Sequence, residues 1–322
     1  MKKLLTLVLA LALIVAACGN KSEDKEDKSK NDTKSSNDTV SYTLDDGKKI
    51  DIPKDPKRIV VLAPSYVGGF LHLGVKPVGV PASTDQTSVL KDKIKGIEKV
   101  SEDNVEQVAK LKPDLIITYN QDKNLNKYKK IAATIPYDYN KHNYLDMQVE
   151  LGKLVNKEDE AKKWVEKWKK QTAKDGKEIK EKIGEDTTVS VIEAFQKDIY
   201  SYGENWGRGT EVLYQAFGLK MPESVEKDVK KDGWKKISQE EIEKYSGDYL
   251  FLPLTKGQEK PEFINTESYK SIPAVKNDKV IEIDTKLQLW FPLLQMLPHT
   301  HYQLIFASLV FSPPHLLRTG VS

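Results

Sequence analysis

Short apolar runs rich in Val, Ile and Leu alternate with amphipathic segments along the first half of the chain. Such runs are typical of buried strands, and spacings of three and four residues are typical of helices. The pattern predicts a hairpin over 42–50 with Asp46-Gly47 at its turn, strands over 58–63, 75–80 and 113–119, and helices over 66–73 and 105–111. Because the links are short, this β-α-β-α-β order indicates a parallel sheet covered on both faces.

A long, lysine-rich segment follows between Asn156 and about Ile183. Asn156 is predicted to cap a helix, and the acids at 158–160 occupy its first turn, where the helix dipole favours negative charge. At about 1.5 Å per residue, the helix would be about 40 Å long, which is the width of a domain. Its length and central place indicate a connector, with Gly176 as a weak point where a kink can form.

Strands and helices alternate again beyond this segment. The pattern predicts strands over 188–194, 249–254 and 280–284, and helices over 208–217 and 240–245. We therefore predict an α/β fold of two lobes, one over 40–155 and one over 185–322, joined by a connecting helix over 156–184.

The N-terminus has the pattern of an export signal. Two lysines precede an apolar run over 4–14, which suits a signal-peptide core and is too short to span a bilayer comfortably. Residues 15–19 (VAACG) resemble a bacterial lipobox, so we predict a signal peptide over 1–17 and a lipid on Cys18. The alternative is an ordinary secretory signal, but the chain has no other cysteine for a disulfide. The polar stretch over 18–39 would be a disordered tether.

The composition changes near the end of the chain. Residues 285–322 contain no Asp or Glu, and their only charged side chains are Lys286 and Arg318. A C-terminal membrane anchor is one interpretation, but four prolines interrupt the apolar run. We prefer a frameshift or truncation in the recorded sequence as the explanation of this tail.

Composition and motifs argue against several classes of function. Charge is dense but balanced, with 51 basic and 48 acidic residues, and it forms no basic stripe for nucleic acid. The five histidines include no His-x-x-x-His pair, which argues against direct zinc or manganese binding. The chain lacks Gly-x-Ser-x-Gly, His-Glu-x-x-His and P-loop motifs, so an exported hydrolase is disfavoured and we expect a protein that is not an enzyme.

Several segments resemble a known family. Residues 52–61 (IPKDPKRIVV), 73–80 (LGVKPVGV) and 111–117 (LKPDLII) are similar to the iron-siderophore and vitamin B12 class of periplasmic-type binding proteins. Residues 138–142 (DYNKH) and 200–219 (YSYGENWGRG followed by TEVLYQAFGL) are similar to the ferric-hydroxamate-binding lipoproteins of Gram-positive bacteria, the staphylococcal ones most closely. The resemblance implies two Rossmann-like lobes bridged by a long helix.

The resemblance also implies roles for individual residues. The expected ligand-binding residues are Tyr139, Tyr200, Trp206 and Arg208, with Tyr119, Tyr66 and Trp290 as weaker candidates. Glu106 and Glu240, one in each lobe, would dock on an ABC permease that works with a cytoplasmic ATPase. The protein would be a monomer, held by its lipid at the outer face of the cytoplasmic membrane.

The implied cargo fits these residue types. A ferric trihydroxamate brings its iron already chelated, so the protein needs no metal ligand and no cofactor beyond the lipid. Arginine donates fixed hydrogen bonds to hydroxamate oxygens, and aromatic rings supply apolar walls. Another chelated cargo of the same class, namely a catecholate or carboxylate siderophore, haem or cobalamin, is the alternative. For Arg208 alone, the alternative is a packed corner in which it pairs with an acid such as Glu204.

Overall fold

A computed structural model describes residues 38–87, 90–101, 103–255, 257 and 259–285. The predicted signal peptide, Cys18, nearly all of the tether, Trp290 and the tail beyond Thr285 lie outside the described residues.

The N-terminal lobe contains a parallel five-stranded sheet, preceded by a small antiparallel hairpin. Its strands are β1 (Thr39–Thr43) and β2 (Lys49–Pro53) in the hairpin, and β3 (Ile59–Val61), β4 (Gly79–Pro81), β5 (Glu98–Val100), β6 (Leu115–Tyr119) and β7 (Ala133–Tyr137) in the sheet. The spatial order is β5-β4-β3-β6-β7, and all neighbouring strands run parallel. The runs at β3 and β6 therefore form central strands as the sequence predicts, whereas β4 begins at Gly79, four residues later than predicted.

Helices cover both faces of this sheet. They are α1 (Pro64–His72), α2 (Val105–Lys110), α3 (Leu125–Tyr128) and α4 (Tyr144–Leu154), together with a 3₁₀ turn over Ala82–Gln86. Successive residues of β3 enter different cores: Ile59 and Val61 pack in one hydrophobic cluster and Val60 packs in another. A continuous apolar run is what a strand buried on both faces requires.

The connecting helix α5 spans Glu158–Ile183, 26 residues without interruption. Gly176 does not kink it. A Cβ atom at this position would lie 2.3 Å from the carbonyl oxygen of Phe217, so glycine here permits close packing against the C-terminal lobe. The indole of Trp168 donates a hydrogen bond of 2.8 Å to the hydroxyl of Tyr144, which ties α5 to α4.

The start of α5 corrects the predicted cap. Asn156 has a positive φ of 56° and donates its side-chain amide to the carbonyl oxygen of Lys54 at 2.8 Å. The helix is preceded instead by Lys157, which makes no capping hydrogen bond through its side chain. Asn156 is used to join the segment to the β2 end of the N-terminal lobe, a long-range contact that the local pattern does not contain.

The C-terminal lobe contains a mixed five-stranded sheet. Its strands are β8 (Val189–Phe195), β9 (Asp198–Tyr202), β10 (Trp234–Ile237), β11 (Tyr249–Leu254) and β12 (Val280–Asp284). The order is β10-β9-β8-β11-β12, with β9 antiparallel to both of its neighbours. The helices are α6 (Glu223–Val229), α7 (Ile242–Tyr245), α8 (Glu267–Ser271) and α9 (Pro273–Lys276), with a π-helix over Glu211–Ala216 and 3₁₀ turns over Gln239–Glu241 and Glu262–Asn265.

The helix predicted over 208–217 is shorter and of another type than expected. Gly207, Arg208 and Gly209 all have positive φ, at 69°, 56° and 85°. Left-handed backbone cannot belong to a right-handed helix, so the helical segment begins later and forms a π-helix. The predicted fold class, two α/β lobes joined by one long helix, is confirmed.

Candidate ligand-binding cleft

A cleft with an empty volume of about 1370 Å³, its open mouth included, lies between the two lobes. Residues of both lobes line it, among them Ser65, Gln86, Tyr119, Tyr139, Phe195, Trp206 and Arg208. The N-terminal contributors follow the carboxyl ends of parallel strands, which is where open α/β sheets bind ligands.

Tyrosines form the N-terminal wall of the cleft. Tyr119 is the last residue of β6, and its ring centroid lies 6.2 Å from that of Tyr139, which follows β7. The hydroxyl of Tyr119 donates a hydrogen bond of 2.7 Å to Ser65 at the start of α1. Burial raises the pKa of Tyr139, so its hydroxyl stays protonated and can donate a hydrogen bond at neutral pH.

Tyr66 lies behind this wall. It is 4% exposed, and its ring meets that of Tyr119 edge-on at 5.6 Å. Within the described part of the chain its hydroxyl has no hydrogen-bond partner. Tyr66 borders a small pocket of about 20 Å³, room for about one water molecule, which His142 and Asn205 also line.

The C-terminal wall is formed by a glycine-rich loop after β9. Gly207 and Gly209 adopt left-handed backbone at little cost, whereas the same conformation strains Arg208 between them. Trp206 and Arg208 both line the cleft. This loop therefore presents an indole and a guanidinium side by side from a tightly specified backbone.

Arg208 is held by buried partners. Its Nε donates to a carboxylate oxygen of Glu193 at 2.8 Å, and its Nη1 donates to the carbonyl oxygen of Trp206 at 2.9 Å. The guanidinium carbon lies 4.4 Å from the centre of the Tyr202 ring, a cation–π arrangement. Arg208 and Glu193 are 6% and 4% exposed. The acid that Arg208 pairs with is thus Glu193 and not Glu204, because Glu204 is exposed at the loop surface.

A second buried carboxyl group supports the same loop. Glu211, in the π-helix, is fully buried and accepts a hydrogen bond of 2.8 Å from the backbone N–H of Gly207. Burial raises the pKa of Glu211 to about 7, although that hydrogen bond and the nearby Arg208 act to lower it. Sequence reasoning missed both Glu193 and Glu211. For Glu193, the signal in the sequence was an acid inside the apolar run of β8.

Aromatic rings connect the two lobes across the cleft floor. The ring of Tyr139 lies 6.0 Å from that of Trp206 in the opposite lobe. In the C-terminal lobe, the ring centroid of Trp206 lies 6.4 Å from that of Trp234, and the ring centroid of Trp234 lies 5.5 Å from that of Tyr200. Tyr200 is thus part of an aromatic shelf beside the cleft and is not among the residues that line its cavity.

Sequence reasoning also missed Phe195 and Trp234. They are 44% and 38% exposed, which is unusual for large apolar side chains. The alternation of side chains between the two faces of a strand is the signal that could have identified them. Phe195 lies two residues beyond Glu193 in β8, and Trp234 in β10 pairs with Tyr202. Because Glu193 pairs with Tyr200, two residues from Tyr202, these side chains share the face that meets Arg208.

The remaining predicted residues lie elsewhere. Glu106 is exposed in the first turn of α2, and Glu240 is exposed in the 3₁₀ turn after β10. Within the described ranges, no cluster of three His, Cys, Asp or Glu side chains is suited to holding a metal ion. No helix among these residues has the length and apolar character needed to cross a membrane.

Fold and cleft together define a two-lobed binding protein. The chain matches the periplasmic binding protein family over residues 59–287 and belongs to that family. It is 37% identical over 290 residues to the iron(3+)-hydroxamate-binding protein FhuD of Bacillus subtilis, covering 88% of this chain and 90% of the relative.

Solved structures of similar chains share the fold. The FhuD protein from S. pseudintermedius superposes with a TM-score of 0.80 at 46% identity, covering 85% of this chain and 99% of that chain. FhuD2 from Staphylococcus aureus with bound ferrioxamine B superposes with a TM-score of 0.74, also at 46% identity, covering 79% and 98%. The family resemblance drawn from the sequence is therefore confirmed.

Proposed function

We propose that this protein is an extracytoplasmic lipoprotein that captures ferric hydroxamate siderophores and delivers them to an ABC permease for iron uptake. The observation that carries the proposal is the cleft itself. Tyr119, Tyr139, Trp206 and Arg208 surround one volume between two lobes, in the fold of a relative whose structure holds ferrioxamine B.

The size and chemistry of the cleft support a bulky, chelated cargo. Its cavity volume of about 570 Å³ lies within the range of about 300–1,000 Å³ that is common for ligand pockets, and its mouth is open to solvent. The iron of a ferric trihydroxamate is already bound by six oxygens, so aromatic walls and one hydrogen-bond donor suffice. Haem, cobalamin and carboxylate or catecholate siderophores are the alternative cargoes against which a ferric hydroxamate must be compared.

The contributions of individual residues follow from their positions. Tyr139 and Trp206 would contact the cargo from opposite lobes, and Arg208 would donate to the polarised hydroxamate oxygens. Tyr119 would complete the N-terminal wall. Tyr200 would act from the shelf beside the cleft, whereas the buried Tyr66 would support Tyr119 from behind. Trp290 remains a prediction outside the described residues.

Delivery would use the acidic pair and the lipid. Glu106 follows β5 and Glu240 follows β10, and both side chains are exposed, one on each lobe. One acidic contact on each lobe would let the permease sense the lobe spacing of a loaded monomer. The lipid on Cys18 would keep the protein at the outer face of the membrane, beside the permease and its cytoplasmic ATPase.

Titration with ferrioxamine B tests the proposed cargo. We expect saturable quenching of tryptophan fluorescence by ferrioxamine B and no saturable quenching by the iron-free chelator or by cobalamin, haem, ferric citrate or a ferric catecholate. By calorimetry, Trp206→Ala should weaken binding about tenfold or more, since it removes a central aromatic contact. Trp164→Phe, which alters an indole outside the cleft lining, should leave the affinity unchanged.

Two results would contradict the proposal. One is the absence of quenching by every ferric trihydroxamate tried. The other is equal weakening in the Trp206 and Trp164 variants, which would place binding outside the cleft.

A further inference from the structure

The charge of the cleft wall depends on one residue. Among the described residues that line the cleft, Arg208 is the one with a charged side chain, and the others are aromatic, hydroxyl, amide or apolar. Whether this wall attracts or repels a charged cargo therefore depends on what neutralises the guanidinium.

Glu193 is placed to do this. It lies in the buried part of β8, and its Oε2 accepts hydrogen bonds from Arg208 Nε at 2.8 Å and from the hydroxyl of Tyr202 at 2.9 Å. Two donors on one oxygen fix the carboxylate. The same contacts fix the guanidinium plane over the Tyr202 ring. Because Glu193 is 4% exposed, solvent screens its charge little.

The remaining ionisable groups around Arg208 add no positive charge. Glu211 lies beneath the loop and interacts with the guanidinium, and Tyr139 approaches from the other lobe as a neutral phenol. The charge near the cleft floor is thus zero when Glu211 is protonated and negative when it is ionised. Without Glu193, the same wall would be positive when Glu211 is protonated and neutral when Glu211 is ionised.

We propose that Glu193 is a positioning residue that also determines charge specificity: by pairing with Arg208, it makes the cleft accept neutral and cationic ferric complexes and disfavour anionic ones. The inference rests on the proposed function, because it concerns which members of the ferric siderophore class the same cleft admits. Arg208 supplies hydrogen bonds to the cargo without supplying a net positive charge.

A charge series with one iron core tests this. Ferrioxamine B carries a terminal ammonium group. Acetylation of that amine makes the complex neutral, and succinylation makes it anionic. For the wild-type protein at pH 8, where Glu211 is ionised and the net charge beside the cleft is negative, we expect the anionic form to bind about tenfold more weakly than the neutral form, the size of effect that one unit charge at several ångströms produces in a partly screened site. The cationic form should bind at least as tightly as the neutral one.

Glu193→Gln separates charge from shape. The amide oxygen can still accept the hydrogen bonds from Arg208 and Tyr202, but the negative charge is gone. We expect the variant to bind the anionic form within about twofold of the neutral form, or more tightly. Glu204→Gln removes an exposed acid from the neighbouring loop and should keep the wild-type ratio.

The outcomes are distinct. Equal binding of the three forms by the wild-type protein overturns charge selection while leaving the proposed function intact. An unchanged ratio in Glu193→Gln, with all three forms weakened alike, means that Glu193 only supports the loop. Failure of every form to bind the wild-type protein contradicts the proposed function, and this inference with it.

Discussion

Arg208 illustrates what can be predicted for a single residue and what cannot. In residues 206–209 (WGRG), the tryptophan and the arginine are each followed by a glycine. The left-handed backbone of residues 207–209 accounts for these two glycines. The Arg208 partner Glu193 was missed because it comes from a strand that meets the loop only after folding. Glu211 is only four residues from Gly207, but its residue type does not show that its carboxyl group is buried. Residue type is a local property of the sequence, whereas pairing depends on tertiary contacts.

The raised pKa of Glu211 predicts that the free energy of unfolding depends on pH. Its pKa in the folded protein is about 7, above the ordinary value of 4.5. Between these values the folded state holds a proton that the unfolded chain has released, so this group favours folding at low pH. That contribution is lost as the pH rises through about 7, and it amounts to about 3 kcal/mol.

Glu211→Gln should remove this dependence. Relative to the wild-type protein, its free energy of unfolding should be higher at pH 8 than at pH 5 by about 2–3 kcal/mol, as measured by urea titration. Glu204→Gln, at an exposed acid, should differ from the wild-type protein by the same amount at both pH values. A Glu211→Gln difference that does not change with pH would mean that the carboxyl group titrates normally.

At the scale of elements, α5 contains the most specific packing constraint. Gly176 would be expected to weaken a helix, since alanine is favoured over glycine there by about 1 kcal/mol. In the structure, the backbone of Phe217 occupies the space that a side chain would need. Packing therefore outweighs propensity at this position.

Gly176→Ala should consequently destabilise the protein. We expect a loss of about 1–3 kcal/mol in the free energy of unfolding, which is typical of overpacking, despite the gain in helix propensity. Lys174→Ala, at an exposed position of the same helix, should change it by less than about 0.5 kcal/mol. A more stable Gly176→Ala variant would show that α5 and the segment at Phe217 can move apart.

The elements that sequence patterns missed have physical reasons. The long apolar runs β6, β11 and β12 were predicted nearly to the residue. The hairpin β8–β9 was not predicted. Its turn has a positive φ at Gln196, and no glycine, asparagine or proline marks the bend in the sequence. The π-helix was not predicted as such, because its apolar pattern resembles that of an ordinary α-helix.

At the scale of the whole molecule, the lobes are joined by more than the length of α5. Tyr144, at the start of α4, packs with residues of the C-terminal lobe and accepts the hydrogen bond of Trp168. Tyr139 touches Trp206 directly. We therefore expect cargo binding to shift the lobes only slightly, since a stiff helix and shared packing oppose a large hinge rotation.

We expect a chelated ferric ion to be held between the lobes without protein ligands. Anomalous scattering at the iron edge, from crystals grown with ferrioxamine B, tests this expectation. We predict one iron peak in the cleft, beside Tyr139 and Trp206 and near Arg208, with no protein atom in its coordination sphere. An iron peak elsewhere, or one coordinated by protein side chains, would contradict it.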